Sequence, residues 1–508
     1  MRNLVRNSLV NSSVSVGAYS IRTLLGFVTR SIFINLLGVE ILGLNGLFTN
    51  ILSFFSLAEL GIGTSIVYEL YKPIVLNDKE EIKSLMRLYK NVYNAIGIII
   101  GFLGILLVPM LPLFIKENSI SGKVYIYYLL FLFNSVVSYF FTYKRSMLNA
   151  DQKNYITVVN DLLFYCISVA LQIILLVFFH SYTYYLIIQI TTTIVSNISI
   201  TFVVNRQYPF LKEKKVKKLS KDVIQNLKKN VVGNVSSQVG TIIVLGSDNI
   251  MLSAFVGLAS VGLYSNYTLI TNSVKSILQQ ATNAVIPSIG NLIADSTNGK
   301  SYRAFKMYWI LNAAISYLAG VLVFAFINNF IFIWLGKKYV LPIHTSFFMS
   351  LYLVILMYQG TVRTFISAYG LFWQQRWKAM CEAFLNIVIS TLLLVIFKLQ
   401  IDGVLLGTIF SSACINLWFE PYIVFKYGFK SSAWWYIKNT IWFYFSFFIT
   451  VIPIIMLNRW LIVTSMFNFL LNIIIIGLII IIIFMAIFSA RLDFRSIIIK
   501  LIIKQRRK

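Results

Sequence analysis

The stretch LLGVEILGLNGLF, residues 36–48, reads glycine, four residues, then Gly-Leu, and the same pattern returns in FVGLASVGLYSNY at 255–267, an offset of 219 residues. Each copy sits where one long apolar run gives way to the next through a short loop. Working outward from the two copies, the chain resolves into fourteen apolar runs of roughly 20 residues, the length an α-helix needs to cross a bilayer core. They begin at 13–37 and 47–70, resume at 234–257 and 263–293 around the second copy, and end at 439–458 and 464–489. Six runs separate the start of one block from the start of the next, so both blocks enter from the same side of the membrane. That makes the repeat parallel, with its axis along the membrane normal and a path between two lobes. The expected organisation is an N-terminal lobe at 1–204, a basic linker at 205–233, a C-terminal lobe at 234–430, and two further helices with a basic tail at 431–508.

Composition agrees with an all-α polytopic membrane protein. The 508 residues are 58% hydrophobic and 12% charged, and the mean hydropathy is +0.80, far from a soluble domain. A net charge of +27 would suit nucleic acid, but the basic residues lie in short clusters between apolar runs and not on one soluble face, which excludes that partner. Of 44 lysines and arginines, 34 fall between spans on one side, 6 on the other, and 4 inside helices. The positive-inside rule then places both termini in the cytoplasm. The first apolar run is too long for a signal-peptide core and is expected to be retained. Cys166, Cys381 and Cys414 all lie in apolar runs, which speaks against a disulfide framework or a zinc site, and His180 and His344 stand isolated at segment ends.

The four basic residues inside helices are the candidates for chemistry. In the first helix Ser15, Tyr19, Arg22, Gly26, Thr29 and Arg30 share one face at 100° per residue, and in the seventh Asn234, Ser237, Thr241 and Asp248 do the same. The 219-residue offset carries Ser15 to Asn234, Arg22 to Thr241 and Thr29 to Asp248, so the polar faces correspond between lobes. An arginine at a helix centre costs about 2.5–3.5 kcal/mol on insertion scales, and two on one face call for a reason. Either they pair with Asp161 or Glu59, or they line a watery cavity and meet an anion. Lys275 shares a face with Asn272 and Gln279, and Arg363 with Gln359, giving a slight cationic excess over Glu59, Asp161 and Asp248. Glu382 and Glu420 lie near helix ends, where solvation accounts for them. Pro287 and Gly290 would loosen the inner end of the eighth helix. The substrate-binding candidates are therefore Arg22, Arg30, Lys275, Arg363, Asn272, Gln279 and Thr241, with Asp248, Asp161 and Glu59 for ion coupling or charge balance.

Three runs, NLLGVEILGLNGLFTNILSFFSLAELGIGTSIVYELYKPI, SDNIMLSAFVGLASVGLYSNYTLI and NFIFIWLGKKYVLP, resemble the Wzx-type polysaccharide flippases of the multidrug/oligosaccharidyl-lipid/polysaccharide (MOP) exporter superfamily. The resemblance extends over nearly the whole chain and implies two six-helix lobes in a MATE-like, V-shaped arrangement around a cationic lumen. It also implies a bacterial cytoplasmic-membrane protein moving undecaprenyl-diphosphate-linked oligosaccharide to the outer leaflet for capsule or exopolysaccharide assembly, alongside a polymerase and assembly proteins. Proton or sodium coupling is open, and no other cofactor is implied. Two rivals are a MATE-type drug or cation antiporter, which a cationic lumen disfavours, and a membrane polymerase or scaffold subunit. Short outer loops without paired carboxylates or a histidine cluster, and the lack of a G-x-x-x-x-G-K run, point away from an enzyme.

Overall fold

The structure, a computed structural model, describes residues 2–55, 62–115, 123–151, 153–213, 246–295, 298–371, 374–375, 377–460 and 465–489, with positions 217, 219 and 225. Every regular element among them is helical: α1 (Arg2–Leu37), α2 (Val39–Phe55), α3 (Ile62–Val75), α4 (Lys79–Leu107), α5 (Lys123–Ala150), α6 (Asn154–Phe179), α7 (Tyr182–Gln207), α8 (Leu258–Asp295), α9 (Asn298–Leu335), α10 (Ile343–Tyr358), α11 (Gly360–Tyr369), α12 (Lys378–Val395), α13 (Gln400–Ile423), α14 (Trp434–Trp460) and α15 (Met466–Ser489), apart from short single turns. Among the described residues, 11 stretches are long and apolar enough to cross a membrane. They match eleven of the fourteen expected runs. The second run divides between α2 and α3, the seventh is described only over its second half, helical at 246–255, and the eighth falls within α8. This is a multi-pass membrane protein. Outward faces are apolar at helical spacing, as in Leu163, Ile167, Leu171, Ile174 and Phe178 of α6 and Leu470, Ile474, Leu478 and Ile482 of α15, all exposed.

The chain separates into two compact units, Met1–Gly262 and Leu263–Lys508. The expected lobes divide at 204–234, so the division by contact comes later in the chain.

In the first unit, α1 packs on α6, and α5 on α4 and α7. Its core is built on Tyr89, Tyr93 and Tyr128, each under 3% exposed; Ser146 donates 2.9 Å to the Tyr89 hydroxyl and Tyr128 donates 3.0 Å to the Gly104 carbonyl. In the second unit, α9 packs on α10, α14 and α15, and α12 on α13. There Phe305, Trp309, Tyr317, Tyr358 and Phe443 form one aromatic core. Trp309 Nε1 donates 3.0 Å to the Tyr358 hydroxyl, so the indole N–H is satisfied within the core.

The repeated motif folds differently from the expectation of a short loop before each second helix. Gly38 at φ +85° is a single-residue break, Gly257 at φ +134° closes a two-residue break with Val256, and α2 and α8 start on the residue after each glycine. Only a residue without Cβ takes these angles cheaply, so a break of one or two residues ending on glycine suffices where a loop was expected. The two copies also meet. A Cβ on Gly43 would overlap the Leu258 carbonyl, and a Cβ on Gly262 would overlap the Val39 carbonyl. Since 39 and 258, and 43 and 262, are each 219 apart, the contact is reciprocal: the same notch receives the same backbone twice.

Candidate functional site

A cavity of about 540 Å³ opens within the first unit between α1, α2, α5, α6 and α7. Its charge comes from Arg22, Arg145 and Asp161. Arg145 places both Nη1 contacts to the Asp161 carboxylate at 2.6 Å and donates through Nη2 to Asn197 Oδ1 at 2.9 Å. Arg22 is held otherwise. Its guanidinium lies 5.7 Å from the centre of the Tyr165 ring, and its Nε is shut from solvent with no hydrogen-bond partner. The expected alternative of an Arg22–Asp161 ion pair is thus not what forms; Asp161 is taken by Arg145, one helical hairpin away. Glu59, the other acid considered, lies outside the described residues. Two arginines against one carboxylate leave the cavity with a net positive charge.

The remaining wall suits hydroxyl-rich ligands. Gln172 and Ser168 of α6, Gln189 and Thr192 of α7, and Asn45 and Thr49 of α2 supply donors and acceptors, while Phe131, Phe164, Tyr165 and Tyr185 supply flat faces. Local bonds fix several of them: Thr192 Oγ1 donates 3.0 Å to Ser168 Oγ, and Gln172 Nε2 donates 3.3 Å to the Tyr185 carbonyl.

Of the residues singled out from sequence, Arg22 and Asp161 line this cavity. Arg30 is outside its lining, half-buried near Tyr185 and engaged with neighbouring groups. Asp248 is 5% exposed and partnered. Thr241 lies outside the described residues, as do Asn234 and Ser237. In the second unit Lys275, half-buried on α8, comes within electrostatic range of Arg363, while Asn272 and Gln279 are exposed. Helix α8 continues through positions 287 and 290, up to Asp295.

Arg363 belongs to a second charge cluster. Its Nε sits 3.2 Å from Glu420 Oε1, and its Nη2 donates 2.5 Å to Gln359 Oε1. Lys378 Nζ lies 2.5 Å from the same Glu420 oxygen and 3.8 Å from Glu382. Ser412 and Asn416 donate to Glu382 at 2.7 and 2.5 Å. Glu420 is 1% and Glu382 8% exposed, so neither is solvated as expected. The reason is that Glu420 meets Arg363 and Lys378 from two other helices, while Glu382 meets Lys378 one turn earlier on α12 and the donors Ser412 and Asn416 from α13. His344 likewise is not isolated: its Nε2 lies 2.9 Å from Asp402.

Arg145 was missed because hydropathy counting ends a span at the first charged pair, here Lys144-Arg145. A helix ends at a breaker, and α5 runs on to Ala150. The polar string QITTTIVSN at 189–197 was the available signal for the α7 wall.

Residues 8–293 match the family of polysaccharide biosynthesis proteins, more than half of the chain. The chain belongs to that family. Its fold is that of the lipid II flippase MurJ in an inward closed conformation (TM-score 0.68, 17% identity, 95% of this chain and 99% of that one). An inward-facing multidrug resistance MATE transporter of the MOP superfamily also superposes (0.62, 13%, 81% and 98%), as does the D35N mutant of the Vibrio cholerae MATE transporter VcmN (0.57, 14%, 84% and 98%). A sequence comparison with curated proteins gives no match. The resemblance seen in the sequence holds at the level of family and superfamily fold, and these structural neighbours are transporters and a flippase, not enzymes.

Proposed function

We propose that this member of the family is a flippase carrying an oligosaccharide linked to undecaprenyl diphosphate from the inner to the outer leaflet of a bacterial cytoplasmic membrane, with both termini cytoplasmic. One observation carries the reading: the cavity of the first unit is net cationic, with no carboxylate paired to Arg22 among the described residues, and is otherwise lined by amides, hydroxyls and aromatic rings. Arginine forks hold phosphate oxygens, and a diphosphate is the charged part of such a substrate. The sugar unit is met by the polar and aromatic wall, while the lipid tail stays in the bilayer. The same charge balance opposes cationic drugs, which disfavours the antiporter reading.

Transport would proceed by alternating access, with the loaded headgroup bound from the inner side and released outside. Asp248, Asp161 and Glu59 are the candidate acids for coupling this to a proton or sodium ion. Asp161 serves charge balance first, given its pairing with Arg145. Delivery to a capsule or exopolysaccharide polymerase completes the proposal. Reconstitution in liposomes with a fluorescent lipid-linked oligosaccharide tests it: leaflet transfer that is lost in Arg22→Ala supports the reading, and transfer at the empty-liposome rate by the intact chain sinks it.

A further inference from the structure

A second cavity, of about 360 Å³, lies in the first unit away from Arg22, at the end that carries the basic loops. Its cations are Lys83, Arg87 and Lys90 of α4, Lys144 of α5, and Lys212 from the turn Pro209–Lys212 after α7. Lys83 is neutralised on the spot, 2.5 Å from Glu80 and 2.6 Å from Glu213. Arg87, Lys90, Lys144 and Lys212 have no carboxylate within ion-pair distance among the described residues, and Glu213, the one acid lining the cavity, is paired with Lys83, so the lining carries an excess of four positive charges. Lys144 is the telling one. Its side chain is 6% exposed, and its Nζ spends one donor on Asn205 Oδ1 at 2.7 Å, leaving two for the cavity. Burying an ammonium among like charges is costly unless an anion is there to meet it.

The walls are fixed, which a merely solvated basic loop would not show. The Glu213 carboxylate ties the post-α7 segment to Lys83, Ser84 Oγ donates 2.8 Å to the Lys217 carbonyl, and Lys79 lies 5.9 Å from the centre of the Phe210 ring. The volume is in the ~300–1,000 Å³ range of ligand pockets. Tyr143 on the wall is an amphipathic residue of the kind that sits at headgroup depth.

We infer that this cavity is a binding site for the phosphate headgroup of an anionic lipid of the inner leaflet, held by Arg87, Lys90, Lys144 and Lys212. The inference rests on the cytoplasmic orientation of this end and not on the Arg22 cavity. A lipid is favoured over a soluble phosphate because the site sits at the end of membrane spans α4 and α5, where anionic headgroups are concentrated.

The test is native mass spectrometry of the purified full-length chain titrated with phosphatidylglycerol, phosphatidylcholine, or inorganic pyrophosphate. Phosphatidylglycerol is expected to bind in preference to phosphatidylcholine, with affinity falling about fivefold per lost charge in Lys90→Gln and Lys212→Gln, and further in Lys144→Gln. Lys398→Gln, an exposed cation of the second unit, should change nothing. Equal affinity in Lys90→Gln, Lys212→Gln and the unaltered chain overturns the site, even if Lys144→Gln fails to fold. Pyrophosphate displacing phosphatidylglycerol at micromolar concentration overturns the lipid assignment in favour of a soluble ligand. Leaflet transfer by the intact chain in phosphatidylcholine liposomes reads the transport proposal separately.

Discussion

Arg22 and Arg363 both stand inside apolar spans, and the two units treat them in opposite ways. Around Arg363, whose side chain is 39% exposed, the second unit assembles Lys378 and the buried Glu420 and Glu382 into a set whose charges cancel, with Ser412 and Asn416 donating to Glu382. Around Arg22 the first unit supplies an aromatic face and an open polar wall, and spends its nearby acid on Arg145. The lesson is that an intramembrane charge is informative only with its partners counted. A balanced set holds helices in register; an excess marks a place where an ion of the opposite sign belongs.

That comparison breaks most readily at Glu420. Replacing it by alanine leaves the part-exposed Arg363 without its acid and Lys378 with Glu382 alone, and should cost up to about 3 kcal/mol, read as a fall in Tm in detergent; a Tm close to that of the unaltered chain would mean that water replaces the carboxylate. Arg22→Ala should do the reverse, leaving Tm unchanged while transfer falls about 10–100-fold, the worth of a charge-assisted hydrogen bond of about 1.5–3 kcal/mol. The reciprocal glycines come next: Gly43→Ala and Gly262→Ala should each destabilise by about 1–3 kcal/mol, since each methyl meets backbone that cannot swing aside. Unequal losses would show that the contact is not symmetric. The smallest effect is expected from Asp161→Asn, which frees Arg145 and should tighten binding of a diphosphate analogue by up to about fivefold, less at high salt. Titration in low and high salt checks both the size and the sign.

Much of this was legible in the chain. The 219-residue repeat marked both breaks at Gly38 and Gly257, because a glycine needed for a positive φ is a local signal. Apolar run length placed eleven spans, since bilayer thickness acts on every helix alike. Partner choice was not legible. Arg363 and Glu420 are 57 residues apart in sequence, and Arg145 on α5 takes Asp161 on the next helix, so which acid meets which base depends on packing that periodicity does not encode. For the same reason Arg22 could be put on a polar face without its aromatic neighbour Tyr165 being foreseen.

The reciprocal contact of Val39 and Gly43 with Gly262 and Leu258 is built as a symmetric dimer interface is built, one patch meeting its own equivalent. A polypeptide bearing one copy alone would present an open notch to a second copy of itself. The tandem chain closes that joint internally, so what would be subunit association, dependent on concentration, becomes part of folding.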